Sequence, residues 1–190
     1  MTVPAVGQPT LWRTCRVLAN RTRLQMLNLL RQQPGLSVSA VADLLGLSLP
    51  VASQYLRALE ARGLLKVRRV GRRVTYWPAS TSSGGFLAPL LAALHQVFRR
   101  DAHAVETIFK TATAFSHSRR IEIFRALRVT EQTPEQLRVV TRVSAPAMWR
   151  HLRKLTARGF VAGRRGRYTV MPRADALGRA LARLAAEDAD

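Results

Sequence analysis

Gln54 and Arg57 stand three residues apart in SLPVASQYLRALEARGLL, the stretch that begins at Ser48. A carboxamide holds a donor and an acceptor side by side, which matches an adenine edge; a guanidinium forks onto guanine or phosphate. At about 100° per residue, Pro50, Ser53, Gln54 and Arg57 share one helical face, and Ala52, Tyr55, Leu56 and Leu59 share the opposite one. The first face suits the edge of a nucleic-acid groove and the second a protein core. From Ser144, ninety-six residues later, SAPAMWRHLRKLTARGFV repeats the S-x-P, L-R-x-L and A-R-G pattern. Its outward set is Pro146, Trp149, Arg150 and Arg153; its inward set is Met148, His151, Leu152 and Leu155. Arg150 pairs with guanine, while Arg57 and Arg153 reach bases or phosphates. Because the outward residues differ between copies, the expected target has two unlike half-sites. Trp149 belongs to the outward set, although packing in the core or between domains is the preferred role for its ring. Tyr55 and His151 read as packing residues with polar tips.

A basic segment follows each copy. Lys66, Arg68, Arg69, Arg72 and Arg73 surround Gly71, and Arg164, Arg165 and Arg167 occupy the matching place; such clusters suit phosphates or the minor groove. The repeat extends further. LANRTRLQMLNLL (18–30) aligns with FSHSRRIEIFRAL (115–127) at an offset of 97, and GRRVTYWP (71–78) with RGRYTVMP (165–172) at 94. A period of this size is a whole small domain rather than a solenoid repeat.

The elements that position these residues follow from local signals. The pattern predicts a helix over about 10–18 and another over about 21–31, with Leu24, Leu27, Leu29 and Leu30 apolar. Pro34-Gly35 breaks the chain. Ser37 caps a short helix carrying Val41, Leu44 and Leu45, and Gly46 turns it. Ser48 and Ser144 cap the helices that bear the outward residues, with Pro50 and Pro146 in the first turn. Arg62-Gly63 ends the first of these, and LLKVRRV and RRVTYW form a hairpin. Thr133-Pro134-x-Gln136 is a capping-box start for the second short helix, after which Arg142 stands where Gly46 stood.

The 190 residues are 47% hydrophobic, with 31 Lys+Arg against 11 Asp+Glu, a net charge of +20. Residues 1–97 carry 12 basic and 2 acidic side chains and residues 98–190 carry 19 and 9, so each half is +10. Such a surplus points to a polyanionic partner. The single cysteine, Cys15, excludes an internal disulfide and reads as a small core residue. No apolar run approaches the length of a membrane span, and no N-terminal stretch resembles a signal peptide, so a cytoplasmic, nucleoid-associated protein is expected.

Helix, short helix, turn, helix and basic hairpin make a winged helix-turn-helix. LANRTRLQMLNLL, the short helix, S-x-P-x-x-S-Q-Y-L-R-x-L-x-x-x-G-L-L and the basic hairpin resemble the ArsR-type (SmtB-like) transcriptional regulators over residues 10–78, and more loosely over 104–172. The resemblance implies a mainly α fold with small β-hairpin wings, two tandem winged helix-turn-helix domains, and a sequence-specific double-stranded DNA-binding regulator, a repressor by analogy. The expected DNA-binding set is Ser48, Ser53, Gln54, Arg57, Arg68, Arg69, Arg72, Arg73, Ser144, Trp149, Arg150, Arg153, Arg164, Arg165 and Arg167. The expected boundaries are 1–85 for a first domain with the N-terminal helix, 86–114 for a helical connector of one or two helices, and 115–190 for a second domain with the C-terminal helix. Ser80 to Gly85, STSSGG, is read as a linker. The final helix is expected to pack on the N-terminal one.

Family members usually hold one domain per chain and pair through terminal helices. The doubled chain therefore predicts a pseudo-dimeric monomer, or a homodimer of it. Family metal sites use a cysteine motif in the helix before the turn, or paired Asp/His and His/Glu positions. VSAVADLLG lacks the first, and Asp101-x-His103 offers only half of the second, so no metal and no cofactor are expected; a small-molecule effector at the domain interface is the preferred regulator. Neither a nucleophile elbow nor a phosphate-cradling loop is present, which argues against an enzyme. The rival readings are a winged-helix protein-interaction scaffold and a replication or chromosome-organising DNA-binding protein.

Overall fold

The computed structural model describes residues 10–80 and 87–187. The described chain is mainly helical with small antiparallel hairpins, and it divides into two compact units. Residues 20–80 with 87–109 make one, here the middle unit; residues 10–19 with 110–187 make the other, the terminal unit. This grouping differs from the boundaries read from the sequence. The N-terminal helix joins the C-terminal half, and the segment read as a connector is largely part of the middle unit. Periodicity showed that the N-terminal helix has a face to bury, but nothing local names the surface that receives it. The linker at 80–85 lies, from residue 81 on, outside the described residues.

In the middle unit, α2 (Arg21–Gln32) begins at Asn20, whose Oδ1 accepts the Arg23 N–H at 2.9 Å. It buries Leu24, Met26, Leu27 and Leu30. α3 (Val38–Leu45) is capped by Ser37, whose Oγ accepts the Ala40 N–H. It buries Val41 and Ala42, while Leu44 is 55% exposed. α4 (Leu49–Glu60) buries Ala52, Leu56 and Leu59. The hairpin β1 (Leu65–Val70) and β2 (Arg73–Pro78) pairs Val67 with Tyr76 and Val70 with Arg73, and Leu36 adds a bridge to Tyr76.

The connector is two helices, α5 (Ala88–Arg100) and α6 (Ala104–Ala112). The break lies at Asp101, an extended residue whose carboxylate accepts the His103 N–H at 2.7 Å and the Thr107 hydroxyl at 2.6 Å. Those bonds hold the carboxylate below its ordinary pKa. The Asp101-x-His103 pair is thus a helix-start device: the carboxylate caps backbone and hydroxyl. α5 sets Leu91, Leu94 and Phe98 beside Leu27 and Leu64, and Arg21 pairs with Glu106 at 2.8 Å while stacking on Phe109.

In the terminal unit, α1 (Leu11–Leu18) buries Leu11, Thr14, Cys15 and Leu18. α7 (Ser118–Val129) starts at His117, whose Nδ1 accepts the Arg119 N–H. α8 (Pro134–Thr141) has the expected capping box, with Thr133 and Gln136 each accepting the other's backbone N–H. α9 (Ala145–Ala157) buries Met148, His151, Leu152 and Leu155. β3 (Val161–Arg164) and β4 (Arg167–Val170) form the second hairpin, bridged to Gln132 through Tyr168. Phe115, Phe124 and Phe160 meet edge to face, with centroids 4.7–6.3 Å apart. Such rings bury large area in favourable geometry. α10 (Ala176–Glu187) packs chiefly on α7, where Arg125 Nε donates to the Ala185 carbonyl at 2.8 Å; the expected principal neighbour was α1. No helix among the described residues is long and apolar enough to cross a membrane.

Candidate nucleic-acid interface

The turns that launch α4 and α9 have the same backbone. Gly46 sits at φ 63°, ψ 38° and Arg142 at φ 52°, ψ 32°, both left-handed. Glycine occupies that region freely, whereas a side chain there is strained. The chain has kept the turn in the terminal unit at that cost.

Ser48 and Ser144 hold the N-cap positions, yet neither hydroxyl makes the expected cap bond. Pro50 and Pro146 remove the N–H of the second helical residue, but the caps of α2, α3 and α8 all bond the third, and that donor is present here on Val51 and Ala147. Both serines are exposed at the positive end of a helix.

On α4 the outward residues divide by exposure. Gln54 and Arg57 are exposed and Ser53 is half-buried, while Leu56 and Leu59 are fully buried. The Arg57 guanidinium returns a bond to the Ser53 carbonyl at 3.4 Å. Arg23 stacks on Tyr55 at 4.8 Å, which fits the packing role read for that ring. On α9, Arg150 and Arg153 are exposed and Trp149 is 53% exposed. Trp149 is therefore not in the core of its unit. Its ring lines a groove of about 640 Å³ with Arg150, Arg153, Gly163 and Tyr168.

The hairpins present the expected cations. Arg68, Arg69, Arg72, Arg73, Arg164, Arg165 and Arg167 are all exposed. Arg68 stacks on Trp77 at 4.2 Å, so its guanidinium is held on the sheet face. Arg164 lies directly opposite Arg167, a like-charge pair that a sheet tolerates poorly unless an anion sits nearby. Arg167 reaches Glu131 at 3.8 Å. Tyr76 is buried beneath the first hairpin, and that burial pushes its phenol pKa up.

A second set of cations escaped the two-face reading. The flank of α9 away from the hairpin opens on a cavity of about 810 Å³, lined by Ser144, Ala147, Arg150, His151, Lys154 and Arg158 from α9 and its ends, by His117, Arg119 and Arg120 from the start of α7, and by Arg142. The signal was present at 147, 150, 151, 154 and 158, helical spacings that define a third face. Arg120 is anchored to the Ala114 and Thr113 carbonyls, and Arg119 to Glu122. Arg142, Arg150, Arg153 and Lys154 have no side-chain hydrogen bond or ion pair among the described residues. The His117 and His151 rings lie 4.8 Å apart. Burial, then the neighbouring His117 and arginines, pushes His151 down to about 4. Burial likewise lowers Lys154, with Arg158, Arg120 and Arg153 adding to the effect.

Part of the chain is similar to known proteins. Residues 20–66 match the family model for winged helix-turn-helix DNA-binding domains. The HTH-type transcriptional regulator Rv0324 of Mycobacterium tuberculosis is 44% identical over 64 residues, which is 34% of this chain and 28% of that protein's length. A solved fragment, residues 1–100 of a possible transcriptional regulatory protein from Mycobacterium bovis, is 38% identical and covers 46% of this chain and 89% of its own, with a TM-score of 0.37. With α2, α3, the Gly46 turn, α4 and the start of the hairpin inside the matched range, residues 20–66 are a winged helix-turn-helix DNA-binding domain.

Proposed function

We propose that this chain is a sequence-specific double-stranded DNA-binding transcriptional regulator, a repressor that acts by occupying its operator. The observation that carries the reading is the exposed Gln54–Arg57 face of α4, set beside a basic hairpin in a domain of the winged helix-turn-helix DNA-binding family. The relatives' names as transcriptional regulators support it. Gln54, Arg57, Arg150 and Arg153 read base edges in the major groove; the hairpin arginines neutralise phosphates or enter the minor groove. The terminal unit repeats helix, short helix, turn, helix and hairpin in the same order. On this reading it is a second winged helix-turn-helix, arisen by duplication, and one chain supplies two reading heads as a pseudo-dimer. The protein binds rather than catalyses, and works at the nucleoid.

The test is selection of bound duplexes from a random pool, followed by affinity against salt. The expected result is one defined motif with two unlike halves and a steep salt slope. A perfect palindrome would sink the unlike-half reading, and absence of any motif would sink the regulator.

A further inference from the structure

We propose that the cavity on the α7-facing flank of α9 binds a small, multiply charged phosphate compound, and that its occupancy competes with DNA. The inference goes beyond the regulator reading by naming the class of effector and moving its site from a domain interface into the terminal unit.

Four features point there together. The cavity's volume of about 810 Å³ matches that of a typical small-ligand site. Arg142, Arg150, Arg153 and Lys154 line it with no side-chain hydrogen bond or ion pair among the described residues. The floor holds His151, only 9% exposed, with no hydrogen bond to its ring among the described residues. The N-terminal turn of α9, thirteen residues long, opens on the same space at Ser144 and Ala147, with the Ser144 hydroxyl free of a cap bond. A helix start with free N–H groups favours phosphate.

Arg142 adds a further observation. The turn is built for glycine, as Gly46 shows, yet an arginine is held left-handed there with its side chain on the cavity wall. Strain kept at such a place marks a functional constraint. The recess also distinguishes the ligand from a duplex. DNA phosphates meet protruding side chains, whereas His151 and the half-buried Arg120 lie at the back of a concavity. Arg150 and Arg153 line the cavity and also belong to the proposed base-reading face, so one ligand removes them from the other.

The probe is inorganic tripolyphosphate, titrated calorimetrically into the full chain at fixed ionic strength. Saturable one-to-one binding is expected. Arg142→Gly combined with Lys154→Gln weakens it by about tenfold or more, as removal of one or two charge-assisted hydrogen bonds would. Arg99→Gln combined with Arg100→Gln, at the exposed end of α5, removes equal charge and leaves it unchanged. Lys154→Gln alone carries the test if the pair fails to fold. Tripolyphosphate should release a selected duplex from the wild type at concentrations that leave the Arg142/Lys154 variant bound. Equal weakening in both charge-matched variants, or no saturable binding, overturns the proposal. So does a variant that loses duplex affinity by the same factor as tripolyphosphate affinity, since the cavity then serves the DNA backbone. A wild type that binds tripolyphosphate but selects no duplex defeats the regulator reading and leaves the cavity standing.

Discussion

At the residue scale, the left-handed Arg142 makes a stability claim separable from function. Arg142→Gly removes a strained φ of 52° and exposes the chain to glycine's greater unfolded-state freedom. The first effect is the larger, so the variant is expected to gain up to about 1 kcal/mol in denaturant melts. His151 makes a second claim. Its folded pKa of about 4 lies below the unfolded value of about 6.5, so the unfolded chain binds the extra proton between them. Stability is full above about pH 6.5 and falls as pH drops toward 4, by on the order of 3 kcal/mol. Burial holds the shift, with His117 and the Arg120, Arg150 and Arg119 guanidiniums facing the ring adding to it. His117 shifts the same way, and its protonation would also remove the acceptor that caps α7. Urea melts at pH 7.5 and 5 should show the loss, and His151→Gln should shrink it.

The hairpin and the helix it flanks are the next scale. Gly35 has φ 88°, and a Cβ there would stand 2.8 Å from the Trp77 ring. Gly35→Ala is expected to cost roughly 2–3 kcal/mol and to expose Trp77, which a melt and a red-shifted tryptophan emission would report. Arg72→Ala with Arg73→Ala should leave the fold intact and lower the magnitude of the log–log salt slope of duplex binding by roughly two, one for each phosphate no longer neutralised. Most of these elements were legible because their signals are local. Ser37, the Thr133–Gln136 box, Gly46 and the apolar spacing of α4 each act within a few residues. The third face of α9 was not legible in a reading that sorted residues only as inward or outward. Exposure of Leu44 and Trp149 depends on what the fold brings over them, which spacing does not encode.

For the whole molecule, charge is the governing quantity: +10 on each half of the sequence, with exposed arginines on both hairpins. If both halves engage one duplex, alanine at Gln54 and Arg57 should relax discrimination at one part of the selected motif, and alanine at Arg150 and Arg153 at the other. Each substitution pair is expected to weaken the motif by about 1–3 kcal/mol for every base edge no longer read, and selection repeated on each variant would map them. A variant pair that relaxes both parts equally would count against separate reading heads. The composition pointed to a polyanionic partner, and the order of helix, short helix, turn, helix and hairpin read from the sequence recurs in both units. The grouping of α1 stayed hidden, because a short amphipathic helix fits any apolar surface of the right shape.

That grouping bears on the order in which the chain is made. Leu11, Cys15 and Leu18 leave the ribosome before residues 20–109, yet they are buried in a unit whose other members begin at residue 110. The segment 20–109 completes its own unit while α1 still waits, its oily side wet, for residues 110–187 to emerge. A nascent chain arrested near residue 109 therefore displays that helix to proteases and chaperones, and only synthesis of the segment from 110 on hides it.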